Sequence, residues 1–530
     1  MKKSTSFILC GLLLLSLSSC NFFNGNTSSS EESSINSIDS SIFDSDTSSS
    51  SSIISSSSNN QTTSEVKTID FYAINDFHGR ISSRSDEDAP GISKLSTYLK
   101  TKKEENPNGY VFVSTGDTWQ DTYESGYNKG ALISKCLEEM ECEAMSLGNH
   151  DFDWGIDVIK TNQELSPNCT YLSANVYNFP NENEFAFVGK EYKIIERDDV
   201  RIGIIGTIGS TQNTSITSSI WENLSFKRTT PIVQSLSDKL RLENNCDVIM
   251  WLNHADYDDS DSENVTAISP ISNKRYVDAV FNGHSHQRET YLRNGVPFVQ
   301  AGSHGVNVSH ISLSLDKNKN VIDIDYGYEG YGQISRCQED PSINQIISEY
   351  FTSEYLAKKD SKVGTLSSNK GYVDKYYAGS LLAKATYDMY EEEMKDVDIV
   401  MNNGSRSSIS SGQVTIENIF NLLPFTNYTY VCKGIKGKDI LNEMNYLYYY
   451  LPDSSLEILD DQEYTIACID YNLLHKNKDR NYDYFPSFKK ENVQYIIEDY
   501  SCDIVANYLN IKKAISESEF YGPNYKSLYY

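Results

Sequence analysis

The chain has 530 residues, more than one core usually holds, and its 38% hydrophobic and 12% aromatic content rules out wholesale disorder. Asp plus Glu outnumber Lys plus Arg by 74 to 46, a formal charge of −28 at pH 7, so the mean field repels a nucleic-acid polymer but leaves room for a small phosphate at one cationic site. After residue 20 no run of 18 apolar residues offers a transmembrane helix.

Residues 1–20 read MKKSTSFILCGLLLLSLSSC. Lys2 and Lys3 precede a short apolar stretch, the pattern of a secretory signal too short to span a membrane. Its end, Leu17-Ser18-Ser19-Cys20, resembles a bacterial lipobox. That resemblance implies a lipid on Cys20 and attachment of an exported chain to the outer face of the membrane. Ordinary cleavage near Ser19 is the alternative. Residues 21–64 hold 19 serines and neither Lys nor Arg. Segment 21–65 is therefore expected to stay disordered, as a tether of about 35–40 Å root-mean-square span. The body carries eight cysteines with no CxxC or zinc-finger spacing. Most are expected to be buried free thiols, although export permits disulfides.

From residue 66 to about 316, apolar runs predict strands over 68–73, 110–114, 201–205, 247–251, 277–281, 297–300 and 308–315. Leu132, Ile133, Cys136, Leu137 and Met140 recur at helical spacing within 130–140. Strands alternating with helices indicate a layered α/β domain. Polar clusters follow the strands: Asn75-Asp76-Phe77-His78, Gly116-Asp117, Asn253-His254 and Gly283-His284-Ser285-His286. Open α/β sheets bind ligands beyond the carboxyl ends of their strands, so these side chains converge on one end. Residues 340–362 read as a helical connector, with Ile346, Ile347, Tyr350 and Phe351 at helical spacing. A second domain follows over 363–530. It opens with a helix near 378–390 and a strand at 399–401.

With Gly148-Asn149-His150-Asp151-Phe152-Asp153 added, five elements stand in a fixed order. The set resembles the calcineurin-like metallophosphoesterases. With the second domain, it resembles the secreted 5'-nucleotidase and UDP-sugar hydrolase family over roughly residues 66–500. The resemblance implies a four-layer αββα sandwich over 66–339, then the linker, then a smaller α+β domain. It also implies two divalent ions, zinc, manganese or similar, and imidazole with carboxylate suits such first-row ions better than calcium. Asp117 would bridge them. Asp76, His78 and His286 would complete one site, and Asn149, His254 and His284 the other. The position of His286 is Gln in some relatives, so the preferred metal varies. The resemblance further implies that the ions would supply a hydroxide for in-line attack on phosphorus. By the same resemblance His150 would stabilise charge on the phosphoryl group and be held by Asp153, because a carboxylate raises the pKa of a neighbouring imidazole. Asp151 reads as structural. His304 is open to a role near the site, while His310 and His475 read as plain.

In the second domain, Asn402-Asn403-Gly404-Ser405-Arg406 resembles the family's arginine-bearing loop, with Leu423-Pro424-Phe425 and Asn427 at the expected intervals. The resemblance assigns Arg406 to the substrate anion, Phe425 to stacking on the base and Asn427 to hydrogen bonding it. Core packing is the alternative for Phe425. Two departures stand out. No Arg lies between Lys362 and Lys375, where relatives often carry two. The family's C-terminal Gly-Gly-Asp-Gly-Tyr loop is replaced by Ile469-Asp470-Tyr471 and, after a polar insertion, Asn481-Tyr482-Asp483-Tyr484-Phe485. Tyr471 or Phe485 is left as the second stacking ring, and Asp483 as the holder of a ribose hydroxyl.

The expected activity is metal-dependent removal of the 5'-phosphate from nucleoside monophosphates by a monomer, with the second domain swinging substrate to the metals. UDP-sugars, nucleoside di- or triphosphates and 2',3'-cyclic nucleotides are the alternative substrates. A surface antigen or adhesin with a vestigial site is the alternative class.

Overall fold

A computed structural model describes residues 66–526, apart from 86, 182–185, 187, 213–215, 217–222, 256–261, 425, 475 and 478–481. The signal, the tether, Cys20, Phe425 and His475 lie outside the described residues. None of the helices among those described is long and apolar enough to cross a membrane.

The first domain is built on two six-stranded sheets. One runs in the order Val321–Glu329, Val308–Leu315, Lys67–Ile74, Tyr110–Ser114, Ala144–Ser146, Thr170–Leu172. Its last four strands are mutually parallel. The other runs Arg288–Arg293, Val296–Ala301, Ala279–Asn282, Val248–His254, Val200–Ile208, Tyr192–Arg197, parallel through its four central strands. Alternation along a strand explains the layering. Ile69, Phe71 and Ala73 join Ile202, Ile204, Met250 and Leu252 in one core between the sheets. Tyr72, Ile74 and Phe112 point the opposite way and pack with Leu95, Leu132, Ile133 and Leu137 of the helices Ile92–Glu105 and Ala131–Glu139. On the far side, Ile205, Ile249 and Trp251 meet Val233 and Leu240 of the helix Thr229–Leu242. Helix, sheet, sheet, helix is the expected sandwich. The strands read as unbroken apolar runs because both of their faces are buried.

Over 340–362 there are two helices, Pro341–Tyr350 and Ser353–Lys359. The side chain of Thr352 accepts a hydrogen bond from the Tyr355 amide and restarts the helix. Lys362 already pairs with Thr415 as the start of a strand. The first helix belongs to the first domain, where Ile343 is buried and Asp340 accepts from Ser96. The second belongs to the other core through Tyr355.

The second domain centres on a five-stranded sheet in the order Tyr448–Tyr450, Ile399–Asn402, Glu463–Ile469, Thr429–Lys436, Val493–Ile497. The helices Lys375–Met389 and Ser501–Lys512 cover the face bearing Val400, Ala467 and Val431. The helix Gly437–Met444 and Phe485 close the other face. Among the described residues, Cys136, Cys142, Cys169, Cys246, Cys432 and Cys468 are buried free thiols and Cys337 is a half-buried one.

A seam of aromatic rings joins the two domains. Tyr355 stacks on Phe351 at 4.6 Å and on Tyr123 at 5.7 Å, and meets Tyr127 edge-on at 5.1 Å. Phe420 meets Tyr123 edge-on at 5.6 Å, and its ring tip fills the space that a Cβ on Gly126 would need.

Candidate active site

Each candidate ligand stands at or just after the carboxyl end of a parallel strand. Lys67–Ile74 delivers Asp76 and His78, and Tyr110–Ser114 delivers Asp117. The three-residue strand Ala144–Ser146 leads to the short 3-10 turn Asn149–Phe152. From the other sheet, Val248–His254 ends on His254, and Ala279–Asn282 leads to His284 and His286. The backbone is turned sharply there. Asp76, His78, Asp117, His284 and His286 take φ of 48°, 51°, 49°, 77° and 58°. Left-handed conformations favour glycine and cost another residue about 1–3 kcal/mol when strained. Side-chain chemistry has prevailed over backbone preference at five of the seven positions. Gly148 is glycine for the reverse reason, because a Cβ would collide with Asp117 Oδ1.

The seven residues form two groups. Asp76, His78 and His286 present ligand atoms within 4.8 Å of one another, and so do Asp117, His254 and His284. Asp117 Oδ2 stands between the groups, 3.2 Å from His254 Nε2 and 4.0 Å from His78 Nε2. Asn149 Oδ1 closes the second group, 2.9 Å from His284 Nδ1 and 3.3 Å from His254 Nε2. In the first, His286 Nε2 lies 3.0 Å from His78 Nε2 and 3.4 Å from Asp76 Oδ1.

These residues fit metal ions. His78 Nδ1 donates to the Gln120 carbonyl at 2.8 Å and His254 Nδ1 to the Thr115 carbonyl at 2.7 Å. Each tautomer is thereby fixed with Nε2 turned inward as a donor atom. Burial, then neighbouring His286, lowers His78 to about 3, which keeps its lone pair free. Burial alone would raise Asp117, but His254 and His150 outweigh it and hold the carboxylate ionised. A buried anion ringed by imidazoles is the donor set that divalent first-row ions take.

His150 sits beside the ligands without joining them. Its backbone amide donates to Asp117 Oδ1 at 2.8 Å, and its Nδ1 lies 2.9 Å from Asp153 Oδ2. Burial opposes a charge on His150, yet Asp153 and then Asp117 raise its pKa. Burial also pushes Asp153 up to about 8 against the pull of His150, so the pair keeps a proton at neutral pH. Asp151 turns away, as expected, accepting from the amides of Asp117, Thr118 and Gly148 at 2.8–3.0 Å.

His304 has more of a place here than its sequence context signals. Its amide donates to the Asp76 carbonyl at 2.8 Å, and its ring stands 5.9 Å from His78 and 6.0 Å from His286. With Glu87, His286, Arg288 and Ser303 it lines a cavity of about 440 Å³. The only sequence signal is its position three residues after the strand Val296–Ala301.

The second domain faces this end. Arg406 Nη2 donates to Asp121 Oδ2 at 3.3 Å, and Gln120 Nε2 donates to the Pro424 carbonyl at 3.0 Å. Asn427 is buried and gives its amide to Asp470 Oδ1 at 2.8 Å. Burial raises Asp470 to about 6, with Asn427 pulling the other way. Asn472 donates to Asn403 at 2.9 Å, so the loops bearing Arg406 and Asn427 and the short helix Asp470–Leu474 bearing Tyr471 meet at one end of the five-stranded sheet. The stacking assignments need correction. Phe485 is buried in the core, and Tyr471 is buried with its ring 6.1 Å from Tyr484, so neither offers an open face in this arrangement. Asp483 is exposed, on a two-residue strand paired with Lys476–Asn477. Asp121, Arg80 and Gln120 went unnoticed in the sequence, although Gln120 and Asp121 come three and four residues after Asp117.

Comparison with known proteins bears on both domains. Residues 69–288 match the family of calcineurin-like phosphoesterases, and residues 357–466 match the 5'-nucleotidase C-terminal domain. The chain is 26% identical over 420 residues to an apyrase of Tabanus yao, covering 69% of this chain and 71% of that one. It is 24% identical over 442 residues to a 5'-nucleotidase of Homo sapiens, covering 73% and 72%. Its fold resembles the crystal structure of a 5'-nucleotidase precursor from Thermus thermophilus, with TM-score 0.66 and 18% identity over 85% of this chain and 97% of that one.

Proposed function

We propose that this chain, a member of the family that joins a calcineurin-like phosphoesterase domain to a 5'-nucleotidase C-terminal domain, removes the 5'-phosphate from nucleoside monophosphates. The observation that carries the reading is the pair of three-residue ligand groups, with Asp117 between them and Arg406 of the second domain at their edge.

Two divalent ions would be held by Asp76, His78 and His286 on one side and by Asn149, His254 and His284 on the other, with Asp117 shared. When bound, they supply an activated oxygen nucleophile and offset charge on the phosphoryl group. The chain's own residues do the rest. Thr115 and Gln120 hold the imidazoles in register through their carbonyls. His150, sharing a proton with Asp153, donates to a phosphoryl oxygen as negative charge builds there. Arg406 meets the anionic part of the substrate and Asn427 the base, with Phe425 as the stacking ring. The leader supports export and attachment to the outer face of the membrane by a lipid on Cys20, and the chain is taken to act as a monomer.

The test is phosphate release from AMP by the purified chain after chelation and return of manganese or zinc. Metal-dependent release that vanishes in Asp117→Ala sustains the reading. The altered loop at 471–485 favours a second substrate class, so UDP-glucose, ATP and a 2',3'-cyclic nucleotide belong in the same assay. Turnover of these with AMP spared would transfer the activity to that class.

A further inference from the structure

The loop that supplies the bridging carboxylate does not end its work at Asp117. Three residues on, the Gln120 carbonyl accepts from His78 Nδ1 while its side-chain amide reaches the Pro424 carbonyl of the second domain. Three residues after that, the Tyr123 amide donates to Asn421 Oδ1 at 3.3 Å, again across the domain boundary. Between them lies Asp121. It is 4% exposed and takes φ +147°, a backbone conformation that favours glycine. A carboxylate persists there because of what it holds. Its Oδ2 accepts from Arg80 Nη2 at 3.1 Å and from Arg406 Nη2 at 3.3 Å.

Arg80 is itself immobilised. Its Nε donates to Glu87 and its Nη1 to the His78 carbonyl at 3.0 Å. Asp121 is thus a buried anion fixed from the metal side and extended to one guanidinium on the substrate side. A guanidinium has five N–H donors, and this contact uses one, leaving others for an anion. The Arg406 side chain is 20% exposed, so it remains reachable. From residue 340 onward the only other arginine in the sequence is Arg480.

We propose that Asp121 is a positioning residue for substrate, holding the Arg406 guanidinium toward the metal-side loop so that it meets the anionic part of a phosphoester. This rests on the activity proposed above. It acts through Arg406 and touches neither substrate nor metal.

The test uses full chains carrying Asp121→Asn, Asp121→Gly, Arg406→Gln and Asp121→Asn with Arg406→Gln. The Gly variant removes the carboxylate while suiting the backbone, which guards against a folding defect. AMP and p-nitrophenyl phosphate are compared, since the aryl ester needs the metal centre but little of the second domain. The expected result is a fall of about tenfold in kcat/KM for AMP, carried mainly by KM, with a smaller fall for the aryl ester. The double variant should be no worse than Arg406→Gln alone, the mark of two residues acting as one unit. Equal losses on both substrates, or additive losses in the double variant, overturn the proposal. A second readout is independent of turnover: the rate at which phenylglyoxal modifies Arg406, followed by peptide mass spectrometry. Asp121→Asn should speed it at least about threefold, and an unchanged rate overturns the proposal even if the wild-type chain spares AMP. Failure on AMP alone counts instead against the nucleotide reading.

Discussion

The two halves of the candidate site obey different rules. On the first domain, every ligand stands within four residues of a strand's carboxyl end, and adjacent strands bring those ends together without help from long loops. On the second, Arg406 and Asn427 come from loops and Asp470 and Asn472 from the short helix Asp470–Leu474, and their meeting depends on packing, with an insertion between Tyr471 and Phe485. Sheet topology thus positions the candidate metal ligands almost by itself, whereas the candidate substrate-facing residues are assembled from separate segments and are free to diverge. The contrast predicts where substitutions will be ruinous and where they will be graded.

The largest effect should come from Asp117→Ala, which removes the shared ligand. Phosphate release should fall by on the order of 10³-fold or more, and bound metal measured by mass spectrometry should drop as well. If activity survives, the metal half is not the unit described. Next, Asp153→Asn should lower kcat by about 10–100-fold. Asp153 raises His150, so its loss lets burial bring the imidazole pKa down, and the alkaline limb of the pH–rate profile should move to lower pH. A limb that stays in place would separate His150 from the chemistry.

On the second domain, Asn427→Ala should raise KM for AMP by about tenfold, with less effect on a small aryl phosphate. It should also lower thermal stability, because Asp470 loses its amide partner. Equal effects on both esters would erase the distinction between the halves. The smallest effect concerns a titrating group away from the site. Burial, then Asp499, raises Asp503 to about 7. A carboxyl with a raised folded pKa contributes stability at low pH that is lost as pH climbs from about 4 through 7. Asp503→Asn should therefore add about 1–2 kcal/mol at pH 8, nothing at pH 4, and leave kcat alone. Paired melting curves check it.

Legibility followed the same divide. The strands at 110–114 and 308–315 were readable to the residue because their apolar runs are continuous and bounded by turns. The strand Ala144–Ser146 was not, since three residues carry no period. The connector reads as helical, but spacing alone cannot say that it breaks in two or that Ile343 and Tyr355 enter different cores. Phe485 reads as a candidate stacking ring, and packing places it in the core. Asp121 stayed hidden because a carboxylate in a loop shows neither its left-handed backbone nor its two arginine partners until the chain is folded.

The aromatic seam bears on how the second domain could move. Tyr123, Tyr355 and Phe420 are each no more than 1% exposed. Parting the domains would wet rings that bury roughly 150–250 Å² apiece, at roughly 25 cal/mol per Å². If the second domain swings, such an opening would be an infrequent excursion from the arrangement held by these rings. Contacts of this kind weaken on cooling. The excursion therefore becomes relatively easier in the cold, while bond breaking at phosphorus becomes slower. An enzyme limited by opening in the warm would become limited by chemistry in the cold, and its Arrhenius plot would bend where the two rates cross.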